Sequence, residues 1–373
     1  MFDAPPFWMY IVGFLLLLGP LVTLHELGHL LVGRLFGVKA ESFSVGFGKE
    51  IAGYTDKRGT RWKLSILPLG GYVQFQGDMN PASVPDPSAP KEEGSFQHAA
   101  LWKRALIVAA GPVTNLLVAI AIFAAFFAFL GKPTITGTDD SRVVGSFSEG
   151  SVAEKAGLKV GDTIIAIDGR TITDFGELRT AVALHPAKRM AFTIERAGEE
   201  LTIPITTARV VDTDSFGNES VMGQIGVAAA GGAYVLEDVG ALQAIPLAVK
   251  QCWELTGMMI TGIKQIVVGE RSFNELGGPL KIAKYSGEQM SLGAIAFINF
   301  AALISLNLAF INFLPIPALD GGHLMFYLAE AVRRKPVGPQ VTEWAYRTGI
   351  ALVLMLMVVV TVNDLFSLPL FGS

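Results

Sequence analysis

The string His25-Glu26-Leu27-Gly28-His29 contains residue types that bind a metal ion and use it. On a helix, positions i and i+4 lie on one face, so the two imidazoles can reach a single zinc ion. Glu26 is next to His25, and its carboxylate can take a proton from water that the metal activates. The string lies near the end of an apolar run, where ionisable side chains are costly unless they face protein. This spacing predicts zinc-dependent hydrolysis.

Three other interpretations of the same string compete with a zinc site. A haem site needs two histidines but gives the intervening glutamate no role, and a proton relay needs no particular spacing. The three side chains could also form an interfacial cluster that reaches toward water. Only zinc hydrolysis uses all three residues at this spacing.

A catalytic zinc site needs a third protein ligand and an open position for water. Asp320 is the candidate, because it ends a long apolar run and follows Pro315 and Pro317, which break a helix. The run therefore has room to turn the carboxylate inward. Two imidazoles and a carboxylate suit zinc. His323 is expected to be structural, although a supporting contact to the metal ligands stays open.

The composition describes the kind of protein that must position these residues. Of 373 residues, 51% are hydrophobic and 17% are charged, against about 25% charged in soluble domains. The net charge of −4 offers no basic surface for nucleic acid. A single cysteine, Cys252, excludes a disulfide framework and a cysteine-built metal cluster. The chain is predicted to be a membrane protein with a soluble part.

Charge-free apolar runs predict four membrane spans, since about 20 such residues cross a bilayer. The runs cover 4–24 (extending to 33 through the histidine motif), 105–131, 289–319 and 348–363. A cleaved signal peptide fits the first run poorly, because its first 24 residues contain no Lys or Arg. The segment 239–268 could be a fifth span, but Lys250, Glu254 and Lys264 fall on one helical stripe. That pattern favours a helix on the membrane surface.

The positions of Lys and Arg predict the orientation of the spans. Residues 34–104 hold ten of them, and Arg333-Arg334-Lys335 follow the third span. Both termini are therefore expected outside, with two cytoplasmic segments, 34–104 and 333–345. In this arrangement the first and third spans both run inward, so His25 and Asp320 reach the same depth.

Between the second and third spans lies an insert of ordinary globular composition. Its pattern predicts a helix at 153–158, a strand at 163–167 with a turn at Asp168-Gly169, a helix at 175–184 and a strand pair within 191–205. The stretch from Lys155 to Gly169 resembles a PDZ domain of the bacterial, circularly permuted type. PDZ domains receive a peptide as an added strand, so a peptide ligand is expected. The other interpretation is a small α+β domain that only shields the membrane part.

Several motifs together resemble the site-2 protease family of intramembrane zinc metalloproteases. They occur in the family's order and cover nearly the whole chain: His25-Glu26-x-x-His29, Val45-Gly46-Phe47-Gly48, Pro68-Leu69-Gly70-Gly71-Tyr72-Val73, Gly111-Pro112-x-x-Asn115, Leu276-Gly277-Gly278-Pro279-x-x-Ile282-Ala283 and Asn312-x-x-Pro315-x-Pro317-x-Leu319-Asp320-Gly321. The best-known family member has two tandem PDZ domains, whereas this chain has one.

The resemblance implies His25, His29 and Asp320 as zinc ligands and Glu26 as the catalytic base. It also implies that Asn312 and the loop of Gly70, Gly71, Tyr72 and Val73 contact the substrate. The segment Ser65–Gln74 is expected to form a hairpin that pairs with an extended substrate strand, with Gly70-Gly71 allowing a bend. A plain cytoplasmic turn is the alternative.

The expected fold is a polytopic α-helical membrane protein with four transmembrane helices and an inserted α+β PDZ domain. The expected division is 1–34, the first transmembrane helix; 35–102, a membrane-associated β-loop region; 103–131, the second helix; 134–230, the periplasmic PDZ domain; 239–290, a periplasmic surface helix and loop; 291–332, the third helix; and 344–367, the fourth helix.

The expected function is regulated intramembrane proteolysis of single-span membrane proteins with Zn²⁺ as cofactor, in the bacterial inner membrane. By resemblance, the partners are an anti-sigma factor of a stress response, signal-peptide remnants and membrane lipid, without nucleic acid. The alternative is a membrane-anchored PDZ scaffold that binds partners without hydrolysis.

Overall fold

The computed structural model describes residues 4–77, 93–135, 141–216, 218–231, 234–272 and 275–367. The chain divides into two compact units. One is built mainly from Ala125–Ala244 with Gly257–Val268, and the other comprises Pro5–Ala124, Ile245–Thr256 and Gly269–Ser373.

The helices, in chain order, are α1 Phe7–Leu35, α2 Leu101–Leu130, α3 Val152–Lys155, α4 Phe175–Ala183, α5 Ala241–Val267, α6 Pro279–Ser291, α7 Ala294–Phe313, α8 Asp320–Arg333 and α9 Pro339–Ser367. The strands are β1 Ala40–Thr55, β2 Arg61–Phe75, β3 Lys132–Ile135, β4 Val144–Phe147, β5 Thr163–Ile167, β6 Arg170–Thr171, β7 Arg189–Arg196, β8 Glu199–Thr206, β9 Ala208–Thr213, β10 Glu219–Gln224, β11 Val227–Ala229 and β12 Tyr234–Glu237.

Within the described residues, four helices are long and apolar enough to cross a membrane: α1, α2, α7 and α9. Each contains an 18-residue window of mean hydropathy 2.1 to 2.5, and about 20 apolar residues suffice to cross the hydrocarbon core. The prediction of four spans is confirmed. The shortest predicted run, 348–363, lies inside the longer helix α9.

The first span packs very closely against α6, a helix that the sequence pattern did not predict. A Cβ at Gly13 of α1 would overlap the backbone of Ser286, and a Cβ at Gly287 would overlap Tyr10. Small residues allow two membrane helices to approach to this distance. The start of α6 is also held by Asp364 of α9, whose carboxylate accepts the N–H groups of Gly278 at 3.1 Å and Lys281 at 3.0 Å.

The strands β1 and β2 form a long antiparallel hairpin next to α1. Residues 42–45 lie opposite both 61–64 and 71–74, so the hairpin folds back on itself and flanks this stretch on both edges. Along 42–45, residues 61–64 run parallel and residues 71–74 run antiparallel, so the chain of β2 reverses its direction between 64 and 71. A hairpin within Ser65–Gln74 that pairs with a substrate strand stays a prediction.

An ion pair ties the end of α1 to the turn of this hairpin. The guanidinium of Arg34 pairs with Asp56, and Trp62 Nε1 donates a hydrogen bond of 2.9 Å to the same carboxylate. The hydrogen bonds from Trp62 and Arg34 hold the pKa of Asp56 well below its usual range. The carboxylate therefore stays charged at neutral pH and fixes the hairpin to the helix.

The helix of the third span ends at Phe313, and Asp320 begins the next helix, α8. The residues between them include Pro315 and Pro317, and Ala318 has a φ of +92°. A proline cannot donate the backbone hydrogen bond that continues a helix. The predicted break is confirmed, and it places Asp320 at the first position of α8.

The insert is a small α+β unit, as predicted. A four-stranded sheet of order β6-β5-β7-β8 packs its apolar face against α3 and α4, with β4 and β11 paired beside it. The predicted strand at 163–167 and the predicted helix at 175–184 match β5 and α4 closely. The predicted turn at Asp168-Gly169 has two consecutive positive φ angles, and so does the connection of β7 to β8 at Ala197-Gly198, as in a two-residue hairpin turn.

The segment 239–268 contains the helix α5. Near its end, Gln265 donates a 2.7 Å hydrogen bond to the carbonyl of Leu184 at the end of α4. Leu242, Val249 and Trp253 expose apolar side chains on α5. Its position on a membrane surface stays a prediction.

Candidate metal centre

Three buried or half-buried side chains from two distant parts of the chain converge on one point. His25 and His29 lie one turn apart on α1, with their Nε2 atoms 3.1 Å from each other. Asp320 Oδ2 lies 3.1 Å from His25 Nε2 and 3.7 Å from His29 Nε2. The structure therefore brings together the three residues predicted to hold zinc.

The contacts of these atoms fit a cation. Asp320 Oδ2 is buried and accepts no hydrogen bond among the described residues, and a buried carboxylate oxygen without a donor is costly. The ligand atoms of all three side chains lie within 4.8 Å of one another. Two imidazole nitrogens and one carboxylate oxygen form the three-ligand set of a catalytic zinc site with an open fourth position. The residues present fit zinc.

Helix α2 closes the metal centre from the other side. His29 Nδ1 lies 2.8 Å from the carbonyl of Ile107, so a proton on Nδ1 leaves the lone pair of Nε2 for a metal. The amide of Asn115 lies 3.3 Å from His25 Nδ1. A Cβ at Gly111, between these two residues, would overlap Nε2 of both histidines. Glycine at this position keeps the space between the ligand atoms open.

These three α2 residues were not assigned a role from the sequence. Ile107, Gly111 and Asn115 are four residues apart and form one stripe on the helix. Gly111 and Asn115 belong to a motif that supported the family resemblance only. The available signal was an asparagine in the middle of an apolar span, where a polar side chain is expected to face protein.

Glu26 points toward the hairpin strand β2. Its Oε2 accepts a 3.2 Å hydrogen bond from the backbone N–H of Val73. The predicted loop thus lies beside the metal centre: Gly70 and Gly71 are buried, and Tyr72 and Val73 are half-buried. Gly70 has a φ of +119°, a conformation that favours glycine.

Two further residues were singled out in the sequence. Asn312 is half-buried at the penultimate position of α7, and its contact with substrate stays a prediction. His323 lies on α8 one turn after Asp320, with Nδ1 2.5 Å from the hydroxyl of Tyr346 on α9. A structural role for His323 also stays a prediction.

Comparisons with known proteins agree with this geometry. Residues 13–356 match peptidase family M50. The chain is 43% identical over 371 residues to "Putative zinc metalloprotease Atu1380" of Agrobacterium fabrum, covering 96% of each chain. It is 33% identical over 387 residues to "Metalloprotease MmpA" of Caulobacter vibrioides, again covering 96% of each.

Among solved structures, the chain is similar to the PDZ domain of an SdrC-like protein from Listeria monocytogenes, with 19% identity over 26% of this chain and 93% of that one. The TM-score is 0.20. A likeness of this size carries no argument about the insert.

Family membership follows from the long match, and the zinc-fitting residues fall inside it. The helices of the membrane part carry these residues, and the relatives that span the same length are named as metalloproteases. This chain belongs to peptidase family M50, the site-2 protease family, and is a zinc metalloprotease of the membrane.

Proposed function

We propose that this metalloprotease cuts a peptide bond within, or at the cytoplasmic edge of, the membrane span of a single-span protein. The observation that carries the proposal is the place of the histidines: both lie on α1, a helix long and apolar enough to cross a membrane. His25 is 18 residues from the start of α1 at Phe7, or about 27 Å at 1.5 Å per residue. A metal held there meets substrate near one membrane face.

In this proposal His25, His29 and Asp320 hold the zinc, and Glu26 is the general base. Zinc, when bound, supplies Lewis-acid activation of water and of the carbonyl that is attacked. Glu26 takes the proton from the attacking water and passes it to the leaving amine. Ile107 and Asn115 hold the two imidazoles in place through their Nδ1 atoms.

A substrate helix must first unwind, because its peptide carbonyls accept hydrogen bonds within the helix. The strand β2 offers a partner for the extended segment. Val73 directs its N–H away from β1 and toward Glu26, so this edge of β2 faces the metal centre. An added strand on this edge would pass the base. Gly70, Gly71, Tyr72 and Val73 would contact its backbone, and Asn312 would contact it from α7.

The substrate class and the location are proposed from the motif resemblance. Substrates would be anti-sigma factors already trimmed by another protease, acting in a stress response, or signal-peptide remnants. The enzyme would lie in the bacterial inner membrane with both termini outside. The inserted α+β unit would be a periplasmic PDZ domain that selects substrates by peptide binding, and α5 would lie on the membrane surface. The chain would divide at the boundaries predicted from the sequence.

Cleavage of a co-expressed, tagged single-span protein by wild type and by Glu26→Gln tests the proposal, with bound zinc measured in both. We expect loss of cleavage in the variant by at least about 100-fold, because a general base contributes about 10² to 10⁴. Zinc should be retained, since Glu26 is not a ligand. Equal cleavage by both proteins would contradict the proposal and leave the scaffold alternative.

The role of the β2 edge is tested by replacing Gly70 and Gly71 with proline. We expect cleavage to be lost while zinc stays bound, because proline removes backbone N–H groups and cannot adopt the positive φ of Gly70. Unchanged cleavage would refute strand pairing at this edge.

A further inference from the structure

The N–H of Val73 is the hydrogen-bond donor that holds Glu26 in this structure. The distance from Val73 N to Glu26 Oε2 is 3.2 Å, and the carboxylate has no other hydrogen-bond partner in the described part of the chain. Glu26 is next to His25 in sequence and lies beside the metal centre. The side chain proposed as the base is therefore bonded to the backbone of the strand proposed to receive substrate.

The pairing of β2 with β1 decides which backbone groups of β2 are left for a further strand. Val73 lies opposite Phe43, and its neighbours Tyr72 and Gln74 lie opposite Ser44 and Ser42. Backbone groups of successive residues in a strand point to opposite edges. Since Val73 directs its N–H to Glu26, the outward set consists of Gly71 and Val73, while Tyr72 and Gln74 face β1.

An added strand at this edge needs the same N–H that Glu26 occupies. Strand addition forms backbone hydrogen bonds with the outward residues of the edge, and one N–H cannot hold a carboxylate and a substrate carbonyl together at full strength. We propose that Glu26 rests on the Val73 N–H in the free enzyme, and that a substrate strand releases the base by taking that N–H. This inference rests on the proposed function.

The exchange couples the position of the proposed base to the presence of an extended substrate. The hydrogen bond from Val73 fixes where the Glu26 carboxylate lies, and both of its oxygens keep free acceptor positions. Pairing of the substrate strand frees this carboxylate at the same moment that it places a peptide bond beside His25, His29 and Asp320. A peptide that reaches the metal without pairing would meet a carboxylate that Val73 still holds in its resting position.

Amide hydrogen exchange at Val73 tests the resting contact directly. It is measured by NMR on full-length, zinc-loaded protein in lipid nanodiscs, for wild type, Glu26→Ala and Glu26→Gln. We expect the amide to exchange at least about tenfold faster in Glu26→Ala, which removes a charged acceptor. Glu26→Gln keeps an amide oxygen of the same reach and should stay close to wild type. The amides of Tyr72 and Gln74, which face β1, should not change in any variant.

The release step is tested by adding a single-span protein that the wild-type enzyme cleaves to the inactive Glu26→Ala variant. We expect the Val73 amide to become slow again, because the substrate strand now accepts its hydrogen bond. An amide that is equally slow in wild type and Glu26→Ala without substrate would overturn the resting contact. An amide that stays fast when substrate is present would overturn the release step.

The outcome for the proposed function is separate. A wild-type enzyme that cleaves no single-span protein counts against the proposed function, and against the release step that needs such a substrate. The comparison of the substrate-free proteins still decides whether Glu26 rests on Val73.

Discussion

Gly111 is the residue at which α2 comes closest to the metal-binding histidines. A Cβ there would overlap Nε2 of His29 and of His25. We therefore expect Gly111→Ala to weaken zinc binding at least about tenfold, since shifting one ligand out of line removes much of its bond. Gly262→Ala on α5, where an added Cβ meets open space, is the matched control. Zinc titration measures the zinc affinity of both variants. A wild-type affinity in Gly111→Ala would contradict the proposal that Gly111 leaves room for the metal-binding nitrogen atoms.

For single residues, the sequence predicted the metal ligands better than the α2 residues that contact the two histidines. The spacing of His25 and His29 is enough to bring two imidazoles together, because helix geometry is local. Asp320 could be proposed because the prolines before it must end the helix. The contacts of Ile107 and Asn115 with the histidines depend on how closely α2 approaches α1. No spacing within either helix carries that information.

The close crossing of α1 and α6 is a packing contact between two helices that single substitutions can test. Gly13→Ala would force a Cβ into the backbone of Ser286, whereas Gly19→Ala in the same helix meets only the carbonyl of Pro68 at 3.9 Å. We expect Gly13→Ala to destabilise by about 1–3 kcal/mol through overpacking. Gly19→Ala should be neutral or slightly stabilising, because alanine favours helix. Thermal unfolding in one detergent compares the two, and equal midpoints would refute the close crossing.

Elements with a strong local pattern were predicted well and those that depend on a partner were not. The strand β5 and the turn at Asp168-Gly169 follow from alternation and turn chemistry. The helix α6 has charged residues, Lys281, Lys284 and Glu288, in a short amphipathic pattern, and its burial against α1 was not visible in sequence. The fold-back of the β1–β2 hairpin is likewise a matter of strand pairing across distance.

At the scale of the whole molecule, the count of four spans and the position of the metal centre support each other. The number of membrane crossings matters because His25 lies on the first span, whereas Asp320 follows the third span. An even number of crossings between the start of α1 and the start of α7 lets both spans run in the same direction, so both residues reach one depth. Composition alone predicted the membrane class, since apolar runs of this length have few other uses.

The central claim is that His25, His29 and Asp320 hold the zinc of this protease. X-ray absorption at the zinc edge, on purified wild type and on Asp320→Ala with zinc content measured in parallel, tests it most directly. For wild type we expect about one zinc per chain with nitrogen and oxygen ligands at about 2.0–2.2 Å. Asp320→Ala should bind zinc at least about tenfold more weakly, because a third of the protein ligands is gone. Sulfur at about 2.3 Å, or an unchanged zinc content and spectrum in Asp320→Ala, would contradict the account.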